Sequence, residues 1–261
     1  MYLLFFLVSF LASTIGQICG IGGGVIIKPV LDATGTMSVS AISFLSGCTV
    51  LSMSTISVLR NFLSKKEIID IKSSTPLAIG GIIGGVLGKW IFELVKAIFQ
   101  NENHLGAVQA GLLIVVTLGS LLYSVNSHKI HTRNIKNVML CALIGLGLGM
   151  ISTFLGIGGG PINLTVLFYF LSMDTKKAAA NSLYIIMFSQ FAGLFQTVVG
   201  GTVPQVSALI LALMVFAGVV GGVIGGRINK KISAEVVDKL FIGLMIVIVG
   251  INIYNLVRFT I

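Results

Sequence analysis

Charge is scarce in this sequence: only 10% of its 261 residues are charged, against about 25% in an average soluble domain. Water is therefore not the solvent for most of its surface. Carboxylates are scarcer still. Of the eight, Glu67, Asp70, Glu93, Glu102, Asp174, Glu235 and Asp238 fall in loops or at the ends of apolar runs, and Asp32 alone lies within one. His104, His128 and His131 are all in loops. That placement gives little support to a relay of Asp, Glu or His inside a membrane. Cys19, Cys48 and Cys141 sit in apolar surroundings and form no CxxC pair, which argues against a zinc site or a disulfide framework and for reduced packing residues. No catalytic dyad or metal cluster is visible in the apolar runs, so an intramembrane enzyme is disfavoured and no cofactor is expected.

Apolar residues make up 56% of the chain, and charge-free runs recur at about 1–27, 73–88, 105–127, 138–173, 178–226 and 240–257. A helical span needs about 20 such residues, so several runs hold two. The expectation is an all-α, polytopic membrane protein with about 8–10 membrane segments and the lipid bilayer as its main surrounding. The net charge of +9 does not point to nucleic acid, because Lys and Arg lie in short segments between apolar runs rather than on one folded face. The first apolar run lacks a charged leader and continues into a motif with a second copy. It is expected to remain in the protein rather than be removed as a signal peptide.

The chain is a duplication. Gly20–Gly24, GIGGG, aligns with Gly156–Gly160 at a shift of 136, and GGIIGGVLGKWI (80–91) aligns with AGVVGGVIGGRI (217–228) at 137. Residues 1–125 form a first membrane repeat, 126–137 a cytoplasmic linker and 138–261 a second repeat. With four plain crossings per half, the positive residues split 8 to 9 between the two sides, and no cytoplasmic excess survives. If each GIGGG instead turns its segment back to the face it came from, 13 of 17 share one side, with Lys89, Lys96 and Arg258 opposed and Lys28 inside. Charge counting thus favours inverted repeats with both termini outside, over parallel repeats.

Three glycines in five residues disfavour helix by about 1 kcal/mol each relative to Ala. A break in hydrocarbon must be buried in protein or line a cavity. Pro161 after the second motif suits the first position of a new helix, which is expected to start at Gly160 or Pro161 with free amides. Those amides and the helix dipole favour a negative group, and two such ends near the midplane form the pattern of a secondary transporter. The competing reading is that glycines only permit close helix packing, and that reading is preferred for the isolated pairs Gly84–Gly85 and Gly221–Gly222. GIGGG lacks the GxGxxG spacing and the strand–helix setting of a dinucleotide site.

The expected anion-binding set is Gly22, Gly23, Gly24, Gly158, Gly159, Gly160 and Pro161 at the breaks, with Lys28, Ser46, Thr49, Asn163, Asn181, Ser182 and Gln190 as side-chain donors or counter-charge. Gln196 is a further polar residue within a span. Lys28 has two readings: a counter-charge for the anion, or a residue that snorkels or pairs with Asp32 four positions on. Arg60 and Asn61 end a span at the cytoplasmic face and suit either attraction of anions or a boundary anchor.

GIGGGVIIKPVL and GIGGGPINLTVL, followed by AISFLSGCTVLSMSTISVLRN and AAANSLYIIMFSQFAGLFQTV, resemble the twin glycine motifs and following spans of the sulfite exporter TauE/SafE family, the TSUP permeases. The resemblance covers essentially the whole chain. It implies transport of small sulfur-containing anions such as sulfite, sulfonates or thiosulfate, coupled to an ion gradient. Because sulfite titrates near neutrality, a coupling proton is able to travel with the substrate itself. Where family members often carry Gly-Thr-Ser after each motif, this chain has Leu45–Ser46 and Asn181–Ser182. A passive anion channel and a carboxylate transporter are the alternatives. Direction of transport, coupling ion and oligomeric state are open at the level of sequence.

Overall fold

The structure, a computed structural model, describes residues 1–63, 68–99, 101–127 and 130–261. The residues Lys65, Lys66, Glu67, His128 and Lys129, which enter the charge count and the loop assignments above, lie outside the described residues. Among those described there are ten α-helices and no strand. The first half of the chain holds α1 (Tyr2–Cys19), α2 (Gly24–Thr34), α3 (Val39–Leu63), α4 (Ile71–Ile98) and α5 (Glu102–Asn126). The second holds α6 (Val138–Phe154), α7 (Pro161–Leu171), α8 (Thr175–Val199), α9 (Ala208–Lys231) and α10 (Ala234–Thr260). Seven of the ten, α1, α3, α4, α5, α8, α9 and α10, are long and apolar enough to cross a membrane. The protein is an all-helical membrane protein, and large apolar side chains such as Leu122, Phe191, Phe195 and Val199 lie exposed along these helices, where lipid is their natural solvent.

Helix starts are set by short polar side chains. The carboxylate of Asp70 accepts from the Ser73 N–H, that of Asp174 from Lys177, and the Asn137 side chain from Met139 and Leu140. Each satisfies an amide that the helix itself leaves without a partner.

Close packing falls on small residues, as in membranes where van der Waals contact holds helices together. A Cβ at Gly80 would stand 1.9 Å from the Ala142 carbonyl oxygen, and at Gly84 2.1 Å from that of Leu146. From the other side, a Cβ at Gly145 would meet the Leu77 carbonyl at 2.0 Å, and at Gly149 that of Gly81 at 2.4 Å. Residue numbers rise together along this contact, so α4 and α6 run in the same direction. The same holds for α1 and α9: Gly221 abuts Phe10, Gly225 abuts Thr14, and the Asn229 amide donates to the Ile18 carbonyl. It also holds for α3 and α9, where Gly218 abuts Thr49 and Gly222 abuts Met53. Gly81 and Gly85 of α4 likewise abut Ile185 and Ser189 of α8. The glycine pairs at 84–85 and 221–222 therefore serve helix packing.

The ends of the helices gather into two polar layers. One contains Asp70 with Lys177, Lys176 on the Ile232 carbonyl, and Thr175 on Asp238. Ser127 and Thr175 line one cavity of about 340 Å³ there. The opposite layer contains Glu102 with Lys96 and Ser40, and Arg258 on the carbonyls of Asp32 and Ala33.

Candidate functional site

Residues 20–23 connect α1 to α2, and residues 155–160 connect α6 to α7. Gly20 (φ 78°) and Gly22 (φ 75°) adopt left-handed backbone in the first connection. Gly156 (66°), Gly158 (70°), Gly159 (130°) and Gly160 (146°) do so in the second. Only glycine takes such angles without steric cost. The Gly20 and Ile21 amides donate back to the Gly16 carbonyl, ending α1, and those of Gly156 and Ile157 donate to Thr153 and Ser152, ending α6. Gly23 is the N-cap of α2, and Gly160 is that of α7 with Pro161 as its first residue.

The two connections touch. A Cβ on Gly24 would lie 2.1 Å from the Ile157 carbonyl oxygen, one on Gly22 3.5 Å from that of Gly158, and one on Gly160 3.8 Å from Val25. Both α2 and α7 begin at this contact, and the first N–H groups of a helix have no intrahelical partner. Two positive dipole ends thus start side by side, a place suited to an anion.

Three of the expected side chains lie against this contact: Ser46 at Gly24, Gln190 at Gly158 and Asn163 at Gly159. Ser46 and Ser182 are matched by the shift of 136, are fully buried, and have hydroxyls without a hydrogen-bond partner. Thr49 is buried and donates to the Leu45 carbonyl. The Gln190 side chain abuts Gly158 and Gly47 with its Nε2 unpartnered, and Asn163, in the first turn of α7, has an unpartnered Oδ1. Unpaired buried donors and acceptors cost about 1–3 kcal/mol each, so this concentration asks for a polar guest.

Asn181 is placed differently. Its Oδ1 accepts from the Asp70 N–H and the Ser74 hydroxyl, and its Nδ2 donates to the Ile68 and Lys177 carbonyls. It joins α8 to the start of α4. Lys28, 2% exposed, pairs with Asp32 at 2.6 Å on α2. Two residues not singled out from sequence join the site: Ser13, buried and unpartnered, underlies Gly23, and Gln17 donates to the Ser57 hydroxyl. The repeat register was the available signal, since Gln17 matches Thr153.

Two vestibules flank the glycine contact. A cavity of about 210 Å³ is lined by Gln17, Ser57, Arg60, Asn61, Lys176 and Asn229, among others. A second, of about 40 Å³, is lined by Thr153, Gly193, Thr197, Ser40 and Phe92, among others. Applying the repeat shifts of 136 and 137 carries Gln17 to Thr153, Ser57 to Gly193, Asn61 to Thr197, Ser40 to Lys176 and Phe92 to Asn229. The vestibules are therefore repeat counterparts. They lie at opposite ends of α3, since Ser40 and Arg60 stand 20 residues apart, about 30 Å along a helix. That is about the thickness of a bilayer core.

No solved structure matches the chain. A curated relative, the "Probable membrane transporter protein YunE" of Bacillus subtilis (strain 168), is 23% identical over 232 residues, covering 80% of this chain and 83% of its own. The model of the sulfite exporter TauE/SafE family matches residues 5–253, so the chain belongs to that family of membrane transporters.

Proposed function

We propose that the protein is a secondary transporter of small anions, chiefly sulfur-containing oxyanions or organosulfonates such as sulfite, working by alternating access across the paired glycine segments. The observation that carries this reading is the pair of repeat-related vestibules at opposite ends of α3, one about 210 Å³ and the other about 40 Å³. An inverted repeat supplies two such halves, and exchanging their conformations closes one vestibule and opens the other. Helix directions support inversion. If α4 runs up, the contacts above make α6 and α8 run up and α9, α3 and α1 run down, so α1 opposes α6, α3 opposes α8 and α4 opposes α9. α2 shares the direction of α10, because Asn255 and Arg258 reach Pro29 and Asp32 in order. α7 ends beside the start of α6, where the Arg133 and Ile135 amides donate to the Tyr169 and Phe170 carbonyls, so each glycine segment turns the chain back to the face it came from. The layer containing Lys176 and Lys177 becomes the cytoplasmic one, with both termini outside.

The anion is held by amides at the starts of α2 and α7 and by neutral donors such as Ser46, Ser182 and Gln190. A passive channel is the second reading, and counterflow separates the two. The test is purified protein in liposomes. Sulfite, thiosulfate or a sulfonate should raise its unfolding temperature and show accelerated counterflow. Stabilisation by carboxylates alone assigns the site to organic acids, and flux without counterflow makes it a channel.

A further inference from the structure

The two vestibules match in position but not in charge. Arg60, Lys176 and Lys230 line the larger one. Their repeat counterparts on the opposite face are Gln196, Ser40 and Glu93. The smaller vestibule has one cation, Lys89, and Glu93 lies 2.6 Å from its ammonium. No carboxylate lines the larger vestibule among the described residues.

Two of the three cations are held in place. Arg60 gives one N–H to the Val223 carbonyl at 2.9 Å, and Lys176 gives one to the Ile232 carbonyl at 2.8 Å. Both donors ride on helices of opposite halves, α3 and α8, and keep further N–H groups for a guest, since a guanidinium carries five and an ammonium three. Asn229, whose amide holds the last turn of α1, and Gln17 form the floor toward the glycine segment. A volume of about 210 Å³ equals several waters at about 30 Å³ each, enough for a small oxyanion with part of its hydration shell.

We propose that the Arg60–Lys176–Lys230 vestibule is an oxyanion-binding site in its own right, built on one face only, so that the protein holds its anion more tightly when open to that face. This rests on the transport reading above. Asymmetric affinity does not shift the final distribution of solute, which the gradients fix. It lowers the concentration that half-saturates transport from that face, and does so in a salt-dependent way, because charges near solvent are screened within about 8 Å at 0.15 M.

The test uses the full-length protein and sulfite. Calorimetric titration of the purified protein reads binding, and counterflow in liposomes of fixed orientation reads half-saturation from each face. Wild type should half-saturate at least tenfold lower from the Arg60 face. Exchanging the three cations for their counterparts, Arg60→Gln, Lys176→Ser and Lys230→Glu, should remove that difference and leave the other face unchanged. Because Arg60 and Lys176 also tether helix ends, Arg60→Lys and Lys176→Arg serve as controls and should keep most of the asymmetry. Equal half-saturation on both faces of the wild type, or a triple variant that weakens both faces alike, overturns the proposal. Sulfite binding that is lost in the triple variant while no counterflow is seen upholds the site and sinks the transport reading instead.

Discussion

The two glycine segments share a pentapeptide but meet its demands for different reasons. In the second, Gly156, Gly158, Gly159 and Gly160 all have positive φ, so backbone conformation requires glycine along the whole turn. In the first, only Gly20 and Gly22 do. Gly24 is helical, and a Cβ there would strike the Ile157 carbonyl at 2.1 Å. The last two letters of the motif therefore encode a shape in the second half, where Gly159 and Gly160 have positive φ, and a contact in the first. The helices that follow differ as well. α2 carries Lys28 and Asp32, whereas the matched positions of α7 are Leu164 and Phe168. The second half begins its helix with Pro161 and adds Asn163; the first half adds a buried ion pair.

The largest effect should come from splitting that pair. Lys28→Met leaves the Asp32 carboxylate buried in an apolar segment, where removing one partner of a buried ion pair costs about 3–5 kcal/mol. Thermal unfolding in detergent should fall accordingly. Lys28→Met combined with Asp32→Leu makes α2 apolar like α7, and should recover most of the loss. If the double variant stays as unstable as the single one, the pair is not an isolated local compensation. If the double variant is stable but no longer transports sulfite, the pair serves transport and not only the stability of α2.

Next in size is the contrast between contact and conformation. Gly22→Ala places a side chain at φ 75° with its nearest neighbours at 3.5 Å, at a cost of about 1–2 kcal/mol for left-handed backbone. Gly24→Ala keeps a helical φ but forces the Ile157 backbone away, which overpacking data put at about 1–3 kcal/mol or more. Gly24→Ala should be the more damaging to both unfolding temperature and transport, although its backbone angle is ordinary. Equal damage would mean that the two segments separate freely.

Much of this architecture is legible in the sequence, and the limits have a physical cause. The long helices follow from apolar runs closed by Asp70, Asn137 and Asp174, each of which caps the helix it precedes. Pro161 marks the start of α7 because proline suits a position whose N–H has no partner. Asn181 shows where the reading stops. A polar residue within a span is visible at once, but whether it faces a guest or a neighbouring helix depends on which helices pair, and α8 meets the start of α4 over a separation of 111 residues. The vestibules are hidden for the same reason, since Gln17 and Asn229 come together only when α1 packs on α9.

A smaller effect is expected where the halves agree. Ser46 and Ser182 are matched, buried and unpartnered, so Ser46→Ala and Ser182→Ala should leave folding unchanged or slightly improved, because each removes an unsatisfied hydroxyl. If both donate to the anion, each loses about 1 kcal/mol of binding, roughly a fivefold rise in the sulfite dissociation constant. A loss at one serine only would show that the guest sits toward one half.

The smallest effect concerns the caps at the starts of α4 and α9. Asp70 accepts from the Ser73 amide and hydroxyl and lies 3.5 Å from the Lys177 ammonium, whereas its counterpart Ser207 makes no cap bond. Burial pushes the Asp70 carboxyl up, but the bonds from Ser73 and the charge of Lys177 outweigh it and hold it below the ordinary carboxylate range. A carboxyl lowered in the folded state contributes stability that is complete above its unfolded value and is lost as pH falls through the folded one. Asp70→Asn keeps a capping oxygen and removes only the charge beside Lys177 and the helix start, so it should cost about 0.3–1 kcal/mol at neutral pH, and the difference from wild type should shrink in acid. Ser207→Ala should change nothing at any pH. Because Asp70 also presents its N–H to Asn181 and so joins α4 to α8, an Asp70→Asn variant whose deficit persists undiminished in acid would place the effect in that backbone junction rather than in the carboxylate.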